Sequence, residues 1–418
     1  MQRSLVQRWL SLSPLTSDAI LYALAAVFAL GLGFTSGEAA QWHWGYLACG
    51  PYALVALAAF VLRKRMHRVD ILRIGLLLVV LLGAVAMPLA LEARWRQLGN
   101  GQGFAQPEVS VIERAGGELA QGQSPYRTYD SHGHLINVIP GIPRYESFFP
   151  YFPLMSLFGL PSAETSHRSK GLTDPRIVMS IVTLLASALA LKLLKASRAH
   201  KLRVAQVLLA LPTGALFLAT GGDDMPILAL MLLGLVGLQR RSNYVTGVSL
   251  GLAAAMKLTA WPMALGALVV SRTKRGDRSW RTVGLLIGLI VIATIAPFAI
   301  HSPWAFLSNV FAFPMGLTSV HSPAASPLPG HIAAVLWTPL GHILPPTAFV
   351  VGGYFAMKYA RSRWPLSLAQ LLLLLSTSMF VMICVAPATR NGYLIYPLNL
   401  FLWSRVCAAD TVTRTVLD

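Results

Sequence analysis

Apolar and polar positions alternate along the chain in long blocks rather than residue by residue. Apolar runs lie near 18–37, 45–63, 72–92, 176–196, 203–220, 225–239, 282–300, 346–360, 366–386 and 392–407, parted by short polar connections. About 20 helical residues cross the ~30 Å hydrocarbon layer of a bilayer, so these runs predict about ten transmembrane helices. A further stretch, 244–271, is interrupted where Pro262 follows Lys257-Leu258-Thr259-Ala260-Trp261. Proline removes a backbone donor and crowds the preceding turn, which predicts a broken helix pair. One polar segment, from Arg94 to Asp174, is longer than a structureless connection ordinarily is unless it is functional or folds on itself. Inside it, Pro107 to Gly122 places Val109, Ile112, Gly116 and Leu119 on one helical face, an amphipathic helix begun by Pro107 and ended by Gly122. Tyr151 to Pro161 is a second apolar stretch, too short to span, and reads as another short helix lying at the interface. The Pro125-Tyr126 turn falls between the two.

Composition places this pattern in a class. Hydrophobic residues make up 55% and charged residues 12% of the chain, against roughly 25% charged in soluble domains. The fold class is therefore an all-α polytopic membrane protein with a long outer loop carrying two short interfacial helices. No small-residue cleavage site follows the first apolar run, which is expected to stay as an anchor. A formal charge of +18 would suit a nucleic-acid partner if it were concentrated on one surface. It is instead divided among Arg63-Lys64-Arg65, Lys192 to Arg203, Arg240-Arg241, Arg272 to Arg281 and Lys358 to Arg363, in connections that a cytoplasmic N-terminus would put on the inner side. The positive-inside rule thus sets both termini in the cytoplasm of a multi-pass plasma-membrane protein, facing anionic lipid, with no nucleic acid implied. The same orientation sends eleven of the sixteen acids to the outer face: Glu108, Glu113, Glu118, Asp130, Glu146, Glu164 and Asp174 of the polar segment, with Glu38, Glu92, Asp223 and Asp224. Chemistry that uses carboxylates is expected there. Cys49, Cys384 and Cys407 lie in or beside apolar runs without metal or redox spacing and read as packing residues.

Ionisable groups at membrane depth or at the mouth of a span are functional candidates, because each costs several kcal/mol unless paired or hydrated. Glu108 stands in the first turn of its helix, where the dipole favours an ionised carboxylate able to act as general base. It could equally be an ordinary acid at a helix start. Asp223 and Asp224, after Gly221-Gly222, would share a proton, hold a cation or simply begin a helix. Lys257, alone in an apolar stretch beside the helix break, either snorkels or meets an anion. His132 and His134 form an H-x-H pair with no third ligand fixed by spacing, so no metal site is assigned. Walker, H-E-x-x-H, G-x-S-x-G and dinucleotide fingerprints are absent from the chain.

Taken in order, these residues carry a resemblance. Glu108 after an early span, then Gly122-Gln123-Ser124-Pro125-Tyr126, then Phe149-Pro150-Tyr151-Phe152-Pro153, then the glycine-rich Gly247 to Lys257, and finally Ala386-Pro387 to Tyr393 are similar to the membrane glycosyltransferases of the GT-C type. Within that type the chain most resembles glycosyltransferase family 87, whose members use polyprenyl-phosphate mannose. The family usually has Asp at the position of Glu108, and Gly-Gln where this chain has Gly222-Asp223-Asp224. The resemblance implies an N-terminal hairpin and cytoplasmic loop (1–71), a catalytic module (72–407) containing the outer loop 93–175, and a cytoplasmic tail (408–418). It further implies an inverting transfer of a sugar, mannose by analogy, from a polyprenyl-phosphate donor to a lipid or glycan acceptor. Glu108 would be the base, Lys257 and Arg390 would hold the donor phosphate, and Tyr126, Tyr151, Asp223, Asp224 and Tyr393 would contact substrate. No cofactor is required, with room for a divalent cation near the two aspartates. A lipid-linked-sugar flippase or other transporter would also place charges at midplane, but would have no use for the acidic outer loop.

Overall fold

A computed structural model describes residues 12–64, 68–99, 103–126, 141–165, 171–275, 277–320 and 322–417. Asp130, His132 and His134 lie outside the described residues. The chain is an all-α polytopic membrane protein: its regular elements are helices, and Ala325 and Thr389 form an isolated parallel bridge. Each apolar run expected to span is helical. Pro14–Thr35, Ala39–Leu62, Val69–Leu98, Pro175–Leu193, Arg278–His301, Thr338–Ser362 and Leu368–Val385 are long and apolar enough to cross a membrane, and Arg198–Ala210 with Pro212–Thr220 forms an eighth, bent by 40°. The expected count of ten is higher because two helices fall short by this measure. Asp224–Arg240 has 17 residues, about 26 Å at 1.5 Å per residue, and Ile395–Leu417 meets Arg405 and Asp410 partway along.

The chain divides into two compact units. The first comprises Met1–Val109, Thr165–Leu184 and Ser197–Met225. Its opening helices form a hairpin so close that a Cβ on Gly45 would stand 2.6 Å from the Gly33 nitrogen. Two of its spans contain π-helical segments, Leu81–Ala86 and Gln206–Ala210. Such segments disturb the i→i−4 ladder, and a carbonyl left over in hydrocarbon needs another donor. Trp44 Nε1 donates to the Ala84 carbonyl (2.8 Å) and the Tyr52 hydroxyl to that of Ala210 (2.6 Å). This unit also buries Asp18, bonded twice by Arg73 and approached by Arg203.

The second unit comprises Ser110–Glu164, Leu185–Ala196 and Pro226–Asp418. Its helices Asn243–Ala254 and Asp277–His301 meet along Gly247 and Gly251, where a Cβ would press on Leu286 and Ile290. Leu368–Val385 is tied to Ile395–Leu417 by Ser376 Oγ to the Pro397 carbonyl and Ser404 Oγ to that of Ala369. Leu285, Leu289, Ile292, Phe349, Val350 and Phe355 lie exposed on the long helices, the surface a lipid-facing span requires. The broken pair is present as Asn243–Ala254, a 3-10 turn Leu258–Ala260 and helix Trp261–Arg275. Its break precedes Pro262, which occupies the first turn of the later helix, where a missing N–H costs nothing. Trp261 Nε1 donates to the Ala254 carbonyl (3.0 Å), satisfying an acceptor that the interruption frees.

Candidate functional site

In the first unit the candidate residues gather where the polar segment leads into helix Pro107–Ala120. Glu108 is half-buried in the first turn of that helix. The approach to it is fixed twice. The Gln106 N–H donates to the Thr220 carbonyl (3.0 Å), and Val109, wholly buried, packs against Gly221. Gly221 has φ +116 and no space for a Cβ, which would overlap Val109 and stand 3.2 Å from Arg176 Cγ; only glycine adopts this backbone readily. Asp223 and Asp224 follow at once, both buried. Asp224 opens helix Asp224–Arg240, so the helix-start reading of this pair describes its backbone. The hydrogen bond at Thr220 and the contact at Gly221 thus bring the segment carrying Glu108 beside the one carrying the two aspartates.

Behind them lies a buried ionic network. Arg176, with no exposed surface, donates from Nε and Nη2 to the two Asp174 oxygens (2.9 Å each) and from Nη1 to Glu92 Oε2 (3.2 Å) and the Phe104 carbonyl. Asp174 also accepts the backbone N–H of Arg176 (3.0 Å) and Nη1 of Arg96 (3.1 Å). It therefore caps helix Pro175–Leu193 while holding two guanidinium groups. Burial pushes the Asp174 carboxyl upward, but Arg176, helped by Arg96, reverses this and holds it below its ordinary value.

The second unit assembles Lys257, Tyr151 and Tyr393. Lys257 lies in extended backbone (φ −154) between the halves of the broken pair and is 8% exposed. Its Nζ is 5.4 Å from the centre of the Tyr151 ring and 5.1 Å from that of Tyr393, within cation–π range of both. The run containing Tyr151 is pinned by its backbone: Phe149 N–H donates to Asn309 Oδ1 (2.8 Å), Phe152 N–H to the Met256 carbonyl (3.0 Å), and the Tyr126 hydroxyl to the Tyr151 carbonyl (3.0 Å). Burial pushes the Tyr126 phenol well above its ordinary value, so it remains a donor. Its ring packs edge-on against Phe149, Phe298 and Phe306. Tyr126 therefore bears on Lys257 by fixing Tyr151. Arg390 precedes the 3-10 turn Asn391–Leu394 that contains Tyr393. That late loop is held by the Ala325–Thr389 bridge and by the Asn391 N–H on Ser326 Oγ (2.9 Å).

The short helices of the polar segment form as their spacing predicts. Pro107–Ala120 ends at Gly122 in left-handed backbone (φ +69), with Gln123 N–H reaching the Glu118 carbonyl (2.8 Å), the usual glycine stop. The second appears as a 3-10 turn, Pro153–Phe158, and a helical turn, Leu160–Ala163. In the second unit Gly116 meets Gly159 so closely that a Cβ on Gly116 would stand 2.7 Å from Gly159 Cα. Sequence reasoning passed over Arg176 and Asn309. Arg176 had a signal, an Asp-Pro-Arg triplet at the start of a span, where paired charge is costly and so seldom incidental. Asn309 lies in a π-helical turn, Ser308–Ala312, which no local pattern announces. Among the described residues no three His, Cys, Asp or Glu side chains are placed to hold a metal ion.

A family model described as glycosyltransferase family 87 matches residues 149–387. The matched stretch opens at the aromatic-proline run and closes in the late loop. It takes in Tyr151, Asp223, Asp224 and Lys257 and leaves Glu108, Tyr126, Arg390 and Tyr393 outside. No curated protein and no solved structure matches the chain.

Proposed function

The chain belongs to glycosyltransferase family 87, and from that premise we propose that this membrane glycosyltransferase moves a sugar, mannose by the family analogy, from a polyprenyl-phosphate donor to a lipid or glycan acceptor on the outer face of the plasma membrane. The observation that carries the reading is Lys257, almost wholly buried, in extended backbone between two half-helices and flanked by two tyrosine rings. A fixed ammonium in such a desolvated place stabilises an anion far more than one in water. A departing polyprenyl phosphate is such an anion. In the proposed step an acceptor hydroxyl attacks the anomeric carbon as the bond from that carbon to the phosphate oxygen breaks. The hydroxyl proton passes to Glu108, the bonding pair leaves with the phosphate, and the configuration inverts. Lys257 receives the phosphate, with Arg390 as a second cation. Tyr151 and Tyr393 border the donor, Tyr126 holds Tyr151 in place, and Asp223 and Asp224 contact sugar hydroxyls or a divalent ion.

Purified protein reconstituted with polyprenyl-phosphate mannose labelled in the sugar, and with a membrane lipid extract as acceptor, is expected to form a labelled product and unlabelled polyprenyl phosphate. Label that stays on the intact donor, or merely changes leaflet, would mark a carrier instead. The outer face has its own test. In a background lacking Cys49, Cys384 and Cys407, Gln123→Cys is expected to react with a membrane-impermeant thiol reagent in intact cells and Ser362→Cys to be protected; the reverse pattern would reject the proposed orientation.

A further inference from the structure

We propose that Arg176 is a positioning residue for Glu108, fixing the loop that delivers this carboxylate; the inference rests on the reading of Glu108 as the base. The guanidinium uses its fork in three directions. Two donors face Asp174, and the third arm is shared between Glu92 and the carbonyl of Phe104. Arg96 reaches Asp174, and Arg176 reaches both Asp174 and Glu92. Outward from the network, Arg176 directs a bond to the Phe104 backbone, four residues before Glu108. Phe104 is anchored at its other end as well, its ring lying 5.2 Å from that of His43 and 5.9 Å from that of Trp95. From there the chain has only one residue before Gln106, whose N–H is taken by Thr220, and then enters the helix with Val109 seated on Gly221. Gly221 and Arg176 also line one small cleft with Met179, Ser180 and Phe217, so the same guanidinium stem backs the glycine that receives Val109. Every restraint on residues 104–109 named here converges on the first turn that holds Glu108. Lysine has no fork and could not meet Asp174, Glu92 and the Phe104 carbonyl together.

Full-length Arg176→Lys, reconstituted in liposomes, is the direct test, read by hydrogen exchange over residues 103–109 and by turnover of polyprenyl-phosphate mannose labelled in the sugar. Expected are amide exchange in that segment faster by about tenfold, a kcat lower by about a hundredfold, the order of loss that a misplacement of ~1 Å brings, and a donor KM within about threefold of the parent. A purely structural role would lower the amount of active protein without splitting kcat from KM. Should Arg176→Lys fail to fold, Asp174→Asn keeps the arginine while weakening its anchor, and the same changes are expected at smaller size. Exchange over 103–109 that stays as in the parent, in whichever of the two variants folds, overturns the positioning itself. Faster exchange with undiminished kcat instead rejects Glu108 as the base, and the proposal with it.

Discussion

The two units hold their candidate groups by different means. In the first, an acid is delivered by a loop whose restraints are ionic: a guanidinium bonded to two carboxylates, with a glycine beside it that tolerates no Cβ. In the second, a cation lies between rings, and the polypeptide bearing one ring is fixed by neutral hydrogen bonds to Asn309 and Met256 and from Tyr126. The difference suits the charge each group would keep in the proposed step. A general base has to ionise, which an uncompensated carboxylate nearby would discourage, and Asp174 behind its loop is held by Arg176 and Arg96. A phosphate-binding lysine would have to keep its proton, and the faces of Tyr151 and Tyr393 attract the ammonium.

Glu108→Gln should break the first region most severely. Glutamine keeps the size and the hydrogen-bonding edge but cannot accept a proton at working pH, and general-base catalysis is worth about 10²–10⁴-fold in rate. Turnover of polyprenyl-phosphate mannose is expected to fall by that order while donor affinity, measured by equilibrium binding, holds. Glu108→Asp should keep part of the activity, being shorter by one methylene yet still a carboxylate. Full turnover in Glu108→Gln would falsify the base assignment.

Lys257→Met should strike the second region through binding. Methionine fills much the same volume between the rings but has no charge, and a charge-assisted bond is worth about 1.5–3 kcal/mol, roughly ten- to a hundredfold in affinity. Donor affinity and turnover are therefore expected to drop together, in a protein that still elutes as a monodisperse peak. If affinity is unchanged, the lysine belongs to packing, and the contrast between a basic region and a phosphate-binding region collapses.

Most of the frame was legible because burial in lipid imposes length and composition on a helix, and both survive in one dimension. The amphipathic helix after Pro107 could be read for the same reason: its proline start, its glycine stop and its apolar face are all local. The aromatic-proline run announced a turn near Lys257 but not the ring placement, since Tyr393 comes from a loop more than a hundred residues later. Pro262 misled as to where the helix breaks, because proline at a first turn and proline at a kink look alike in sequence. The Asp-Pro-Arg triplet signalled Arg176, but its partners beyond Asp174 were illegible for a different reason. Glu92, Phe104, Asp174 and Arg176 come from three separate elements, and only folding shows which acid an arginine selects.

The smallest expected effect is also the sharpest control on the first region. Glu113 follows Glu108 by five residues, about 500° around an ideal helix and so roughly 140° away, and the two cannot serve the same substrate. In the second unit Glu113 has a task of its own, accepting the Ser162 hydroxyl from the short helix Leu160–Ala163. Glu113→Gln leaves an amide oxygen for that hydroxyl and exchanges a charge-assisted bond for a neutral one. The expected loss is about 1 kcal/mol of stability, seen as a modest fall in melting temperature. Turnover should stay within about twofold of the parent, since Glu113 lies roughly 140° around the helix from Glu108. A large loss of turnover in Glu113→Gln, matched by a silent Glu108→Gln, would move the base five residues along the helix and leave the Arg176 network supporting the wrong acid.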